Sequence, residues 1–314
     1  MTRWDAGPAI DDEIYARLRA DPRYPEAVRN FASNMLDAGD ADRLLDGILK
    51  DAGRNVAALS AIHLHFSGGL TLPRLKTLCA SFGLVSPGRA RALLLYLRYL
   101  GYVEPSGARG GAALYVPTAR FLNTWRNHLR AVLRAVQVLE PVEIGRLLDR
   151  FDAPGVFETY AKILCEVFLA GMPHASMDSP YFRVFMHRNA GIQIMHTLLA
   201  ASTGDAFPPQ QPIALSLSAA ARRFKVSRIH VRRLLDAGQR EGLLRLSADG
   251  SVQFEPAGRN AIYYIFATQL IRFLGAASRT LALNPNLGEA TAQPPAHHTT
   301  PRATPDRGRP AHFG

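Results

Sequence analysis

Residues Leu217 to Glu255 read LSAAARRFKVSRIHVRRLLDAGQREGLLRLSADGSVQFE, and the expected architecture follows from how that stretch divides. Leu217, Ala220, Ala221 and Phe224 stand at i, i+3, i+4 and i+7, the spacing of a short amphipathic helix. Lys225-Val226 turns the chain, and Ser227 stands where a helix N-cap belongs, its hydroxyl able to accept from the open amides of the next turn. A second helix is expected over Arg228–Glu241, burying Val231, Leu234, Leu235 and Gly238 and stopping at Gly242, which tolerates a left-handed C-terminal conformation. Leu243–Ser247 and Ser251–Glu255 then flank Asp249-Gly250, a strong hairpin signal. Pro256 opens a further helix running from Ala257 to about Leu274.

The order recurs upstream. Leu72–Phe82 has a helical pattern, Gly83-Leu84-Val85 is a turn, and Ser86 is a cap followed by Pro87 at the favoured first helical position. The next helix is expected over Pro87–Leu100 with Gly101 as its stop. Tyr102–Glu104 and Ala113–Val116 would flank a flexible glycine-rich loop at Pro105–Gly111. Pro117-Thr118-Ala119-Arg120 then opens a long helix, as Pro256-Ala257-Gly258-Arg259 does. Ser86, Arg91, Leu93, Leu94 and Gly101 match Ser227, Arg232, Leu234, Leu235 and Gly242 at one constant offset of 141, so an internal duplication is expected. Apolar helices at Asn55–Phe66 and Asn189–Ala201 precede the two segments.

Helix, tight turn, helix, hairpin and long trailing helix is the order of a winged helix-turn-helix. The segments Ser86–Gly101 with Pro117–Arg120, and Ser227–Gly242 with Pro256–Arg259, resemble bacterial winged-helix regulators of the MarR type over about half to two-thirds of the chain. The resemblance implies duplex-DNA binding and a mainly α fold of two winged-helix units with small β-hairpin wings. The long trailing helices, Thr118–Leu139 and Ala257–Leu281, would pair the units about a pseudo-two-fold axis. Family wings carry an Asp-x-Arg that neither hairpin here has. Family members also hold one unit per chain, so this chain is expected to be either a pseudo-dimeric monomer or a homodimer.

The organisation that follows has an N-terminal helical segment at 1–54, unit 1 at 55–140, connecting helices and a loop at 141–186, and unit 2 at 187–282. Residues 283–314 form a Pro-rich tail too poor in apolar residues to order itself. Within 1–54, Phe31, Met35, Leu44, Leu45, Ile48 and Leu49 are expected to pack.

Charge concentrates in the same two segments. The chain carries 37 basic and 26 acidic residues, a net +11. Residues 71–110 are net +5 and residues 216–245 net +6, so the rest of the chain sums to zero. An excess confined to two short windows points to a polyanion partner. On the wheel of the Arg228–Glu241 helix, Ile229, Arg233, Asp236 and Arg240 lie opposite the apolar stripe, with His230 and Arg232 on its flanks. The expected DNA-binding set is Ser86, Arg89, Arg91 and Arg109 from unit 1, and Arg222, Arg223, Lys225, Ser227, Arg228, His230, Arg232, Arg233 and Arg240 from unit 2. In unit 1 the outward positions are Ala92, Leu95, Tyr96 and Tyr99. A helix apolar all round is usually buried, so that half of the helix is expected to pack against protein.

Other chemistry finds no motif. There is no phosphate-cradling glycine loop, no Gly-x-Ser-x-Gly and no His-Glu-x-x-His. The ten histidines show no convincing ligand spacing, so neither metal nor cofactor is expected. Cys79 and Cys165 lie in apolar helical patterns as packing thiols. No stretch has the apolar length of a membrane span or a signal peptide, so a cytoplasmic protein is expected. The function these readings favour is a sequence-specific transcription regulator without enzymatic activity. The alternatives are a winged-helix assembly protein that docks a protein partner through the Leu95/Tyr96/Tyr99 face, and a plasmid replication initiator with paired winged helices.

Overall fold

A computed structural model describes residues 3–4, 9–81, 83, 85–171, 178–203 and 206–285. The expected tail beyond 285, Phe82 at the end of its expected helix, Leu84 of the turn after it, and 172–177 of the loop before Pro180 lie outside the described residues. The described chain is mainly helical, with two small antiparallel sheets of three strands each. No helix among the described residues is long and apolar enough to cross a membrane.

Three helices lead: α1 (Asp12–Ala20), α2 (Tyr24–Ala41) and α3 (Arg43–Leu49). The next run is α4 (Ala52–Phe66), β1 (Leu70–Thr71), α5 (Leu72–Ser81), α6 (Pro87–Tyr99), β2 (Val103–Arg109), β3 (Ala112–Pro117) and α7 (Ala119–Val136). Two connecting helices, α8 (Pro141–Asp149) and α9 (Val156–Gly171), are followed by a π-helical turn at Phe182–Met186. The last run is α10 (Gly191–Ala200), β4 (Ile213–Ala214), α11 (Leu217–Phe224), α12 (Arg228–Arg240), β5 (Leu244–Leu246), β6 (Ser251–Phe254) and α13 (Pro256–Leu283). From α4 to α7 and from α10 to α13 the elements come in one order. Their sheets are ordered β1-β3-β2 and β4-β6-β5, with the third strand of each hairpin partner in the corresponding place.

Local chemistry accounts for these elements. Ser227 Oγ accepts from the His230 amide at 3.0 Å and Ser86 Oγ from the Arg89 amide at 3.3 Å, so each hydroxyl satisfies one orphan donor of its helix. Val231, Leu234, Leu235 and Gly238 are buried on α12, as are Ala90, Leu93, Leu94 and Leu97 on α6. Both helices are followed by a left-handed glycine, Gly242 at φ 68° after α12 and Gly101 at φ 69° after α6. Strands β1 and β4 carry no sequence signal of their own. They are two-residue edges, Leu70 pairing with Tyr115 and Ile213 with Val252.

Several expectations are corrected. The glycine-rich segment Pro105–Gly111 is mostly strand: β2 continues to Arg109, a bulge between Pro105 and Ala108 absorbs the register change, and Gly110-Gly111 makes the turn. Both of those glycines have positive φ, the conformation of a tight hairpin turn whose twist matches its strands. Helix α13 runs to Leu283, past Leu274 and close to the Leu281 expected for the trailing helix, because Leu270–Ser278 are buried all round and no breaker interrupts them. The second half of α6 is not packed away: Leu95 is 49% and Tyr99 86% exposed, and Ala92 is also exposed. Only Tyr96 turns inward, its ring beneath the Arg54 guanidinium.

Residues 12–49 do not stand apart either. Phe31, Met35, Leu45, Ile48 and Leu49 are buried in one continuous core that includes both sheet-bearing runs, with Leu44 packed at its margin. Helix α2 packs on α7 and on α10. Its Phe31 ring meets His196 of α10 at 5.7 Å and Phe266 and Phe273 of α13 at about 6 Å. Helices α7 and α13 touch, but α13 packs chiefly on α9 and α7 chiefly on α2. The two trailing helices therefore meet through intervening helices more than through each other.

Candidate nucleic-acid interface

The second basic segment presents α11, a turn and the start of α12 on the outside of the molecule. Ser216 caps α11 by accepting from the Ala219 amide at 3.2 Å, and Ala220, Ala221 and Phe224 anchor that helix inward. The turn rests on Lys225, a non-glycine residue at φ 52° and ψ 48°. A side chain in this left-handed conformation costs roughly 1–2 kcal/mol, which the surrounding packing offsets. Lys50 Nζ, 3.0 Å from the Phe224 carbonyl, ties the turn to α3. Glycine would suit that backbone better. The lysine places a cation at the tip of the turn.

The charges there sort into paired and unpaired. Arg232 Nε donates to Asp236 at 2.8 Å, Arg223 reaches Asp40 at 2.7 Å, and Glu241 is held by Arg183 of the π-helical turn at 3.0 Å. Both acids of the segment are thus taken up. Arg222, Lys225, Arg228, Arg233 and Arg240 are exposed, and the side chain of none is ion-paired or hydrogen-bonded among the described residues. Ile229, 63% exposed, stands among them at the start of α12. His230 is drawn inward: its ring Nε2 lies 2.7 Å from the Asn189 carbonyl, so it is committed to the protein and not to the outer face.

The first basic segment is poorer. Arg89 is tied to Asp51 at 3.0 Å, and Asp51 is itself buried as the cap of α4 and paired with Arg54 at 3.1 Å. Arg74 donates to the Gly69 and Ser67 carbonyls at 2.6 and 3.0 Å. The Arg109 guanidinium folds back along the sheet, 3.3 Å from where a Gly68 Cβ would stand. Of the four unit 1 residues expected to meet DNA, Ser86 serves as a cap, Arg89 is paired and Arg109 is folded back. Arg91 and Arg109 are the exposed cations among those four without a charge partner among the described residues, and only Arg91 of the two lies on the helix. Arg98, counted in the charge of that segment but not in the expected site, is a third.

The expected set therefore divides by tertiary contact. Most of its unpaired cations gather on α11, α12 and the turn between them, and the pairs that silence Arg89 and Arg223 come from residues 38 and 183 positions away. No sequence pattern announces such partners. The left-handed Lys225 was equally hidden, since a Lys-Val-Ser turn carries no glycine to mark it.

Among the described residues no group of three or more His, Cys, Asp or Glu could hold a metal ion. Cys79 and Cys165 are buried and unbridged, and burial pushes both thiols up, away from the reactive thiolate. Compared with family models, with curated proteins and with solved structures, the chain matches none.

Proposed function

We propose that this chain is a duplex-DNA-binding transcription regulator made of two winged-helix units, with α12 as the helix that enters the major groove. The observation that carries this reading is the cluster Arg222, Lys225, Arg228, Arg233 and Arg240, exposed and unpaired among the described residues, with both local acids neutralised. A helix N-terminus ringed by cations suits a phosphate backbone, and most of the affinity would come from releasing counterions there. Arg228 and Arg233 are the candidates for bidentate bonds to guanine O6 and N7, and Ile229 for contact with a thymine methyl. The like order of elements in the two runs, and of strands in the two sheets, supports the duplicated winged-helix reading. In this reading the protein is cytoplasmic, acts without catalysis, and reads an asymmetric site in which unit 2 supplies the strong half.

The exposed Leu95 and Tyr99 favour a second use for unit 1, as a surface that docks a protein partner or a second copy of the chain. A footprint on genomic DNA tests the principal reading. Protection of discrete sites by the full chain is expected. Its loss is expected in Arg228→Ala with Arg233→Ala, with helical circular dichroism unchanged. Absence of protection by the wild-type chain at low salt would overturn it.

A further inference from the structure

A partly open cavity of about 640 Å³ lies between α1, α2, α4, α7, α9, α10, α13 and the π-helical turn, within the ~300–1,000 Å³ typical of small-molecule sites. Its walls are mainly apolar and aromatic, Phe31, Trp125 and Phe168 among them. Among the described residues one fully charged group lines it. Arg272, in the apolar middle of α13, is 93% buried at a relative exposure of 7%, and its guanidinium makes no hydrogen bond or ion pair with any described residue. It lies over the Phe168 ring at 5.4 Å and against the last residue of α9, where a Cβ on Gly171 would stand 1.9 Å from Nη2.

A guanidinium cannot escape burial by losing its proton, so an interior arginine calls for an anion. Among the described residues no aspartate or glutamate lines the cavity. His128 and His196 also face it, and burial keeps both imidazoles neutral near pH 7, with His128 Nδ1 lacking a hydrogen-bond partner among the described residues. The site thus offers one positive charge, uncharged polar groups and an apolar body.

We propose that this cavity binds a small amphipathic monoanion, a carboxylate on an apolar body, with its head group on the Arg272 guanidinium. One fixed cation matches one negative charge, which selects against phosphate dianions and dicarboxylates. The aromatic walls take the apolar body. The proposal does not depend on DNA binding, and its test reads no DNA.

The test is calorimetry and thermal unfolding of the full chain at pH 7.5, with decanoate and 1-naphthoate as probes and 1-decanol and 1-naphthol as their uncharged counterparts. At least one acid is expected to bind about tenfold or more tighter than its alcohol, the scale of one charge-assisted hydrogen-bonded pair, and to raise Tm with concentration. Arg272→Met should abolish that preference, and Arg272→Lys should keep part of it. If Arg272→Met does not fold, the acid-to-alcohol comparison on the wild-type chain decides alone. Equal affinity of acid and alcohol, no binding of either acid at millimolar concentration, or an unchanged preference in Arg272→Met would each overturn the proposal. In those cases Arg272 serves only to hold the negative end of α9.

Discussion

Deleting one arginine from α12 should change the salt dependence of DNA binding only if that arginine has no partner in the protein. Arg233 is exposed and unpaired among the described residues, whereas Arg232 shares its charge with Asp236 at 2.8 Å. If Arg222, Lys225, Arg228, Arg233 and Arg240 each neutralise one phosphate, log K falls against log salt with a slope of about −4.5, at ~0.9 per contact. Affinity then drops about 500-fold between roughly 50 and 200 mM salt. Arg233→Ala removes one contact, so the slope should shrink to about −3.6 and the loss to about 150-fold. The matched control removes the neutral pair as a unit, Arg232→Ala with Asp236→Ala. It also deletes one arginine from the helix, but should leave the slope within experimental error of wild type. Fluorescence anisotropy on a random duplex across a salt series measures all three. A wild-type slope shallower than about −2, or a double variant that loses as much slope as Arg233→Ala, would refute the assignment of these five cations to phosphates.

Other outcomes follow from particular contacts. Gly258→Ala should destabilise by about 2–3 kcal/mol in urea unfolding, because its Cβ would stand 1.8 Å from the rigid Leu243 carbonyl oxygen; Gly88→Ala, with nothing within 4 Å, should be neutral or slightly stabilising. Burial holds His128 at about 4 and His196 at about 3, the latter lowered further by His128, against 6.5 for an ordinary imidazole. The unfolded chain therefore takes up these protons first, so stability present at pH 7 should be lost as pH falls from about 6.5 towards 4. The slope is roughly 1.4 kcal/mol per pH unit for each histidine, and His196→Phe should flatten it in denaturation curves at pH 7 and 5. Asp51→Asn should cost about 1 kcal/mol, since its arginine partners are partly exposed and screened. It also frees Arg89, so a steeper salt slope in that variant would place unit 1 on the DNA and an unchanged slope would keep it off.

Much of the local architecture was legible in the residues. Ser86, Ser227, Gly101 and Gly242 marked helix ends because capping and left-handed turns depend on a few atoms of the residue itself. The i, i+3, i+4 stripes of α11 and α12 located their buried faces for the same reason, and Asp249-Gly250 located a hairpin. Strands β1 and β4 were not legible, since two residues hold no period and pair only when a hairpin arrives beside them. Nor was the strand through Gly107, where glycine content reads as a loop until a bulge and a two-glycine turn are seen to use it.

For the candidate site the division is sharper. Composition and order by themselves determined where positive charge accumulates and which side of α12 faces outward, because net charge and helical periodicity are properties of the chain alone. Which cations remain unpaired was decided by the tertiary structure. Arg89 meets Asp51 and Arg223 meets Asp40 only after distant helices pack, and Arg228 and Arg233 stay open because no acid is brought to them among the described residues. Arg272 shows the same limit from the other direction. A single arginine within Leu270–Ala277 reads as a break in an apolar face, and only the packing of α13 among α7, α8 and α9 turns it into a buried charge beside a cavity. Charge and period are written residue by residue; pairing and burial are relations between residues that the folded chain alone makes neighbours.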